Sequence, residues 1–279
     1  MHNLDFESYS KINLGLKVIN KRLDGFHNIN SIFIQTDFSD KLIFEKSSAF
    51  QLTCNNDKIP LDSSNTISQA YHILNQKFKF QYQYKIHLVK NIPIGSGLGG
   101  GSSNAATTLT VLNKLWSMGF SNKKLEQLGV SLGADIPFFI NGGLQLIEGI
   151  GETLSPQKND FLRDLYFLLI IPSIYVSTKE AYSSLNKPLH PIQSYSKFSP
   201  VSRPVNWQLF DNDFENVIGK TYPEIHELKI ALKKNGALFS GLSGSGSTVF
   251  GVFDNQKKAE TILKLFNQYQ TFISSPVFR

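Results

Sequence analysis

Between residues 93 and 107 the chain reads Pro-Ile-Gly-Ser-Gly-Leu-Gly-Gly-Gly-Ser-Ser-Asn-Ala-Ala-Thr. Five glycines lie between Gly95 and Gly101, so the backbone can take positive φ and no bulky side chain hides its N–H groups. Ala105, Leu109, Leu112 and Trp116 then recur at helical spacing. The spacing predicts a glycine loop running into a helix N-terminus, with Ser102 or Ser103 as N-cap. Such an end carries about half a positive charge and several unpaired N–H donors, a natural seat for phosphate. An ordinary strand-to-helix turn needs one or two glycines rather than five.

Three phosphate-loop patterns compete for this stretch. Gly95, Gly97 and Gly100 satisfy G-x-G-x-x-G, but a dinucleotide site wants that loop after the first strand and an acid about 20 residues later. Nearly a hundred residues precede this loop, and no Asp or Glu occurs from Gly101 to Leu125. The P-loop pattern needs Lys directly after its last glycine, where Ser102 stands. Gly219-Lys220-Thr221 lacks the earlier glycine of that pattern, whose place falls on Phe214. Protein kinases require a Val-Ala-Ile-Lys strand and a His-Arg-Asp loop, and neither occurs. A phosphate loop without its own lysine remains.

Outward from the loop, Lys11 to Val18 alternates as a half-buried strand, with Lys11 and Asn13 on one face. Asp24-Gly25-Phe26-His27 forms a turn before a second run, Ile29 to Thr36, and Asp40 to Lys46 reads as another strand. Asn65 is expected to cap a helix with Ile67, Ala70, Tyr71, Leu74 and Phe78 on one stripe. Tyr82 to Lys90 leads into the loop as a strand, and Ser121 caps a helix ending before Gly133-Ala134-Asp135-Ile136-Pro137. Leu144 to Thr153 reads as a strand near the end of a first domain, 1–155. The second, 156–279, begins with the continuous apolar run Leu165 to Ile171, as a strand buried on both faces would. Thr178 is expected to cap a short helix, Pro223 to start another, and Ser243-Gly244-Ser245-Gly246 to join two strands. A helix with Ala259, Ile262 and Phe266 and a strand at 272–278 finish the chain. The order strand, helix, strand, strand, helix, strand from Leu165 suggests a ferredoxin-like second domain. Residues 186–206, with four prolines, read as an irregular insertion.

Composition narrows the partners. Hydrophobic content of 41% and charged content of 18% are those of a folded, soluble protein. The net charge of +6 suits an anionic substrate. The lysines are spread rather than clustered, so no nucleic-acid partner is expected. Cys54 is the single cysteine, excluding an intramolecular disulfide. No apolar run is long enough to cross a bilayer, and the N-terminus has acids where a signal peptide wants bases, so no membrane and a cytoplasmic setting are expected.

The loop resembles the GHMP kinase superfamily, whose hallmark is Pro-x-x-x-Gly-Leu-Gly-x-x-Ser-Ser-x-Ala. Four further stretches narrow the resemblance to the branch that phosphorylates 4-diphosphocytidyl-2-C-methyl-D-erythritol in non-mevalonate isoprenoid (terpenoid) biosynthesis. They are Lys11-Ile12-Asn13, Asp24-Gly25-Phe26-His27, Gly133-Ala134-Asp135-Ile136-Pro137-Phe138, and Thr178 with Tyr182. This resemblance implies an α+β, two-domain fold: an N-terminal mixed sheet with helices carrying the phosphate loop, then the ferredoxin-like domain. It implies ATP as donor, held along Ile94, Gly95, Ser96, Gly97, Leu98, Gly99, Gly100, Gly101, Ser102, Ser103 and Asn104. Asn65 and Lys90 would lie near the base, and Gly244 by the phosphates. It implies Asp135 as catalytic base and Lys11 at the transferring phosphoryl group. Asn13, Phe26, His27, Thr178 and Tyr182 would bind the substrate, with Phe26 standing where the family has Tyr. Magnesium is expected with ATP, and its ligands are not assigned. The alternatives are another small-alcohol kinase, of the homoserine or mevalonate type, or a non-catalytic ligand-binding relative.

Overall fold

The computed structural model describes residues 4–76, 80–157, 162–185, 198 and 205–278. Phe78 and nearly all of the 186–206 insertion lie outside them. Two compact units form: Met1–Ser10, Ser39–Ile94 and Gly99–Asn141 make the first, and Lys11–Phe38, Gly95–Leu98 and Gly142–Arg279 the second.

The first unit is built on β4 (Gln83–Val89), which pairs in parallel with β3 (Gln51–Cys54). On its other side β4 pairs antiparallel with the last seven residues of β2 (His27–Ser47). The sheet is therefore mixed, as expected. Tyr84, Ile86 and Leu88 of β4 alternate inward with period two and pack beside Leu42 and Phe44. The helices α1 (Thr66–Asn75), α2 (Gly100–Leu115), α3 (Asn122–Val130) and α4 (Ile136–Asn141) complete the unit, α1 against α2 and both α2 and α3 against α4. Asn65 and Ser121 cap α1 and α3 by accepting from the N–H of Ile67 and Lys124, as the sequence predicts.

In the second unit the first half of β2 pairs with β5 (Leu144–Gly149), from Ile29 opposite Gly149 to Ile34 opposite Leu144. β6 (Thr153–Pro156) adds to β5. A second sheet contains β7 (Tyr166–Ile171), β8 (Phe239–Leu242), β9 (Val249–Phe253) and β10 (Gln270–Ser274), all antiparallel in the order β10-β7-β9-β8. That order is the ferredoxin-like arrangement expected. Phe167 to Ile170 are fully buried, which explains the unbroken apolar run. The helices here are α5 (Thr178–Ser184), α6 (Asp213–Thr221), α7 (Pro223–Lys234) and α8 (Gln256–Leu263). Among the described residues no helix is long and apolar enough to cross a membrane.

Six expectations need correction. The strand at 11–18 is not half-buried but part of β1 (Leu4–Lys21), with Lys11 and Asn13 buried as fully as Ile12 and Leu14 on its other face. The last strand ends at Ser274 rather than running over 272–278. The runs at 29–36 and 40–46 are one strand, β2. The acids between and at the start of these runs serve as backbone acceptors: Asp37 takes the Ser275 N–H, and Asp40 the N–H groups of Asn91 and Ile92. The run at 144–153 divides into β5 and β6 about a turn at Ile150–Glu152. Helix α2 begins at Gly100, not after a serine cap: Gly99 is the N-cap at φ 72, a left-handed value that needs no side-chain cap. Ser177, not Thr178, caps α5, accepting from the Glu180 N–H.

Candidate active site

The first unit holds the helix end of the loop. Thr66, at the start of α1, donates its hydroxyl to the Gly101 carbonyl at 3.0 Å. Asn65 caps that same turn and donates to the Pro60 carbonyl at 2.7 Å. Replacing Asn65 by alanine is expected to lower stability by about 1 kcal/mol, the value of a lost N-cap, read as a lower urea midpoint at unchanged slope.

Beneath the start of α2 lies a buried polar network. The Lys90 ammonium is 2.6 Å from Asp40 and also donates to the Ile92 carbonyl. Asn104 donates to both Asp40 and Ser8 at 2.9 Å, and Ser8 donates to Ser103 at 2.8 Å. Burial pulls the Lys90 ammonium below its ordinary pKa, and the Asp40 carboxylate opposes that. A Cβ on Gly100 would meet the Lys90 nitrogen at 2.9 Å, so the lysine presses from below against the first residue of α2. The Lys90 side chain, Ser103 and Asn104 are thus covered under the helix end, while Gly101 is exposed and Ser102 half-buried. Asp135 is half-buried immediately before α4. A Cβ on Gly133, two residues earlier, would lie 4.0 Å from the Ser102 hydroxyl. The turn carrying Asp135 therefore runs beside the first turn of α2.

The second unit holds residues 95–98 and the rest of the predicted set. Lys11 is 3% exposed; its N–H donates to the Leu98 carbonyl at 3.0 Å, and its ammonium donates to Asn13 at 2.6 Å over the Phe33 ring. Asn13 in turn donates to the Ser31 hydroxyl at 3.1 Å. The loop after β8 closes around them. Ser243 donates its hydroxyl to the Gly97 carbonyl at 3.0 Å, and a Cβ on Gly244 would lie 3.6 Å from the Lys11 nitrogen. Asn212 donates to the carbonyls of both Leu242 and Gly244 at 2.8 Å. Thr248 binds the Ser96 carbonyl through its N–H and its hydroxyl. Lys11, Asn13, Gly97 and Gly244 are brought together.

In the same unit the His27 and Tyr182 rings stack, centroids 4.8 Å apart and 24° from parallel, with Phe214 edge-on behind Tyr182. The Thr178 hydroxyl is 3.1 Å from that of Ser245. Phe26, with its N–H on the Asp24 carboxylate, is 59% exposed. Burial, then the charge of Lys21, holds the His27 imidazole below its ordinary pKa. It is therefore neutral at pH 7, with one nitrogen able to donate and the other to accept.

Sequence reasoning missed Ser31, Asp40 and Asn212, none of which lies within a glycine motif. Asn212 carried a signal: it precedes Asp213 and Glu215 with Phe214 and Ile218 four apart, the pattern of a capped helix, and it does cap α6. No group of three or more His, Cys, Asp or Glu that could hold a metal occurs among the described residues.

The family profile for the GHMP kinases N terminal domain matches residues 65–143, and that for GHMP kinases C terminal matches 199–269. A 4-diphosphocytidyl-2-C-methyl-D-erythritol kinase of Prosthecochloris aestuarii is 36% identical over 93% of this chain and 92% of its own length. One of Alkaliphilus oremlandii is 38% identical over 94% and 91%. A crystal structure of 4-(cytidine 5'-diphospho)-2C-methyl-D-erythritol kinase superposes with a TM-score of 0.82 at 25% identity, covering 98% of this chain and 99% of that one. Homoserine kinase from Cytophaga hutchinsonii shares the fold, with a TM-score of 0.70 at 18% identity over 95% of both. With its loop, its two profiles and relatives matched nearly end to end, the chain belongs to the GHMP kinases and, within them, to the 4-diphosphocytidyl-2-C-methyl-D-erythritol kinase family.

Proposed function

We propose that this protein transfers the γ-phosphoryl group of ATP to the 2-hydroxyl of 4-diphosphocytidyl-2-C-methyl-D-erythritol, giving the 2-phosphate and ADP, a step of isoprenoid biosynthesis. The observation that carries this reading is the second unit's joining of a buried Lys-x-Asn pair at Gly97 and Gly244 to a stacked His–Tyr pair. The first suits phosphoryl oxygens; the second offers flat faces and a neutral imidazole to a pyrimidine. The relatives' names agree with it across more than nine-tenths of their length.

Asp135 takes the proton as the alcohol oxygen bonds to phosphorus, and the bond between that phosphorus and the β,γ-bridging oxygen breaks to release ADP. Lys11 stabilises charge on the transferring oxygens, and its bond to Asn13 fixes where that charge lies. The N–H groups opening α2 receive the donor's phosphates. Phe26, His27, Thr178 and Tyr182 grip the cytidine end, so binding energy far from the reacting hydroxyl orients it. Magnesium bound with ATP would supply charge neutralisation at the phosphate oxygens.

The test is a coupled ADP-release assay with the cytidine compound, homoserine and mevalonate. Turnover on the cytidine compound alone is expected; turnover on homoserine or mevalonate instead, or on none of the three, sinks the assignment. His27→Ala is expected to raise KM for the cytidine compound by about 10–100-fold, the loss of one or two hydrogen bonds, with kcat within about threefold. Because burial holds the imidazole below its ordinary pKa, the rise of wild-type KM on acidification is expected to begin at a lower pH than the charging of an exposed histidine would give. A KM indifferent to the alanine counts against this pocket.

A further inference from the structure

The second unit contains a cavity of about 500 Å³ lined by none of the residues assigned above to the nucleotide or the alcohol. Its size falls within the range of small-molecule sites. Trp207, on a 3₁₀ turn, stacks on Phe239 of β8 at 5.7 Å and 19°, and Phe210 leans against Trp207 at 5.9 Å. The opposite wall is α7. His226, Lys229, Ile230, Lys233 and Lys234 fall at helical spacing on the face that lines the cavity. Ile230 is 40% exposed there, an aliphatic side chain left uncovered beside an indole.

The charges lining this space do not cancel. Glu215 is held by Lys229 and by the Leu242 N–H, and Asp211 is held by Lys17. Lys233 donates to the Leu238 carbonyl at 2.8 Å, an acceptor that carries no counter-charge. Lys234 is exposed and has no hydrogen-bond or ion-pair partner among the described residues. Two uncompensated ammonium groups thus overhang an aromatic floor. A cation would have to displace Lys229 from Glu215, and a wholly apolar body would leave both lysines unanswered. A flat ring system bearing an acidic group answers both features, with indole stacking for its body and charge-assisted bonds for its anion.

We infer that this cavity is a second binding site, for a small aromatic anion. The inference stands independently of the phosphotransfer reading. The probe is 8-anilinonaphthalene-1-sulfonate, added to the full chain carrying Trp116→Phe. Trp207 is then the only one of the two tryptophans left. Saturable one-to-one binding is expected, with sulfonate emission excited through Trp207 and an isotherm unchanged by saturating ATP. Lys233→Glu with Lys234→Glu is expected to weaken it by about tenfold or more, the scale of losing a charge-assisted hydrogen bond. The exposed Lys→Gln pair is expected to lie between, which separates charge from any effect of reversal on folding. The site is refuted by displacement with ATP, by no energy transfer from Trp207, by several probes bound per chain, or by equal affinity in the charge-reversed protein.

Discussion

Asp135→Asn is expected to lower kcat by about a thousandfold, while the Kd for ATP stays within about threefold. Asparagine keeps the size and the hydrogen-bonding reach of the side chain but cannot accept the hydroxyl proton, and general-base catalysis contributes about 10²–10⁴. The substitution leaves α4 and its turn in place, since Asp135 precedes the helix and is not part of a buried apolar face. In the proposed mechanism nucleotide binding draws instead on the loop backbone and the first turn of α2. Single-turnover phosphoryl transfer and an equilibrium titration with ATP separate the two quantities. Turnover near the wild-type rate removes the base assignment; a Kd raised in parallel with the lost rate makes Asp135 a nucleotide contact instead.

The second large effect falls on the loop itself. Gly97→Ala is expected to destabilise the protein by about 4 kcal/mol, left-handed strain and overpacking together. Gly97 has φ +81, and a Cβ there would lie 2.3 Å from the Ser243 carbonyl oxygen and 2.9 Å from that of Gly246. Both obstacles are backbone, so no rotamer change relieves them. Asn212 and Ser243 fix the 242–244 segment against movement. Gly25 is the control, with φ +88 and nothing within 4 Å of an added Cβ. Gly25→Ala is expected to lose only the strain of about 1 kcal/mol. Equal urea midpoints for the two variants would falsify the close approach of the loops as the source of the effect.

What the sequence made legible was local. The caps at Asn65 and Ser121, proline at the start of α7 and the unbroken run in β7 each state their structure within a few residues. The glycine loop was legible because five glycines have few other uses, and the resemblance supplied Lys11, Asn13, His27, Asp135 and Tyr182 as candidates. What stayed hidden depends on partners far along the chain. Asp40 reads only as the first residue of a strand until Lys90 and the turn at 91–92, fifty residues on, supply its donors. Ser243 is an ordinary turn residue until Gly97, 146 residues away, accepts its hydroxyl. The start of α2 was misread because serine caps are common, whereas a left-handed glycine cap is set by backbone alone. Helix α6 was missed although its signal was local: Asn212, Asp213 and Glu215 mark its start, and Phe214 and Ile218 lie four apart.

The scattered make-up of the first unit bears on how relatives can be recombined. A cassette spanning 65–143 follows the N-terminal profile, yet Ser8 and Asp40, which hold Asn104, lie outside it. Such a chimera inherits an intact network only from a donor whose own asparagine suits a serine and an aspartate that stayed with the recipient. Productive crossover points therefore have to be chosen by hydrogen-bond linkage rather than by stretches of contiguous gene.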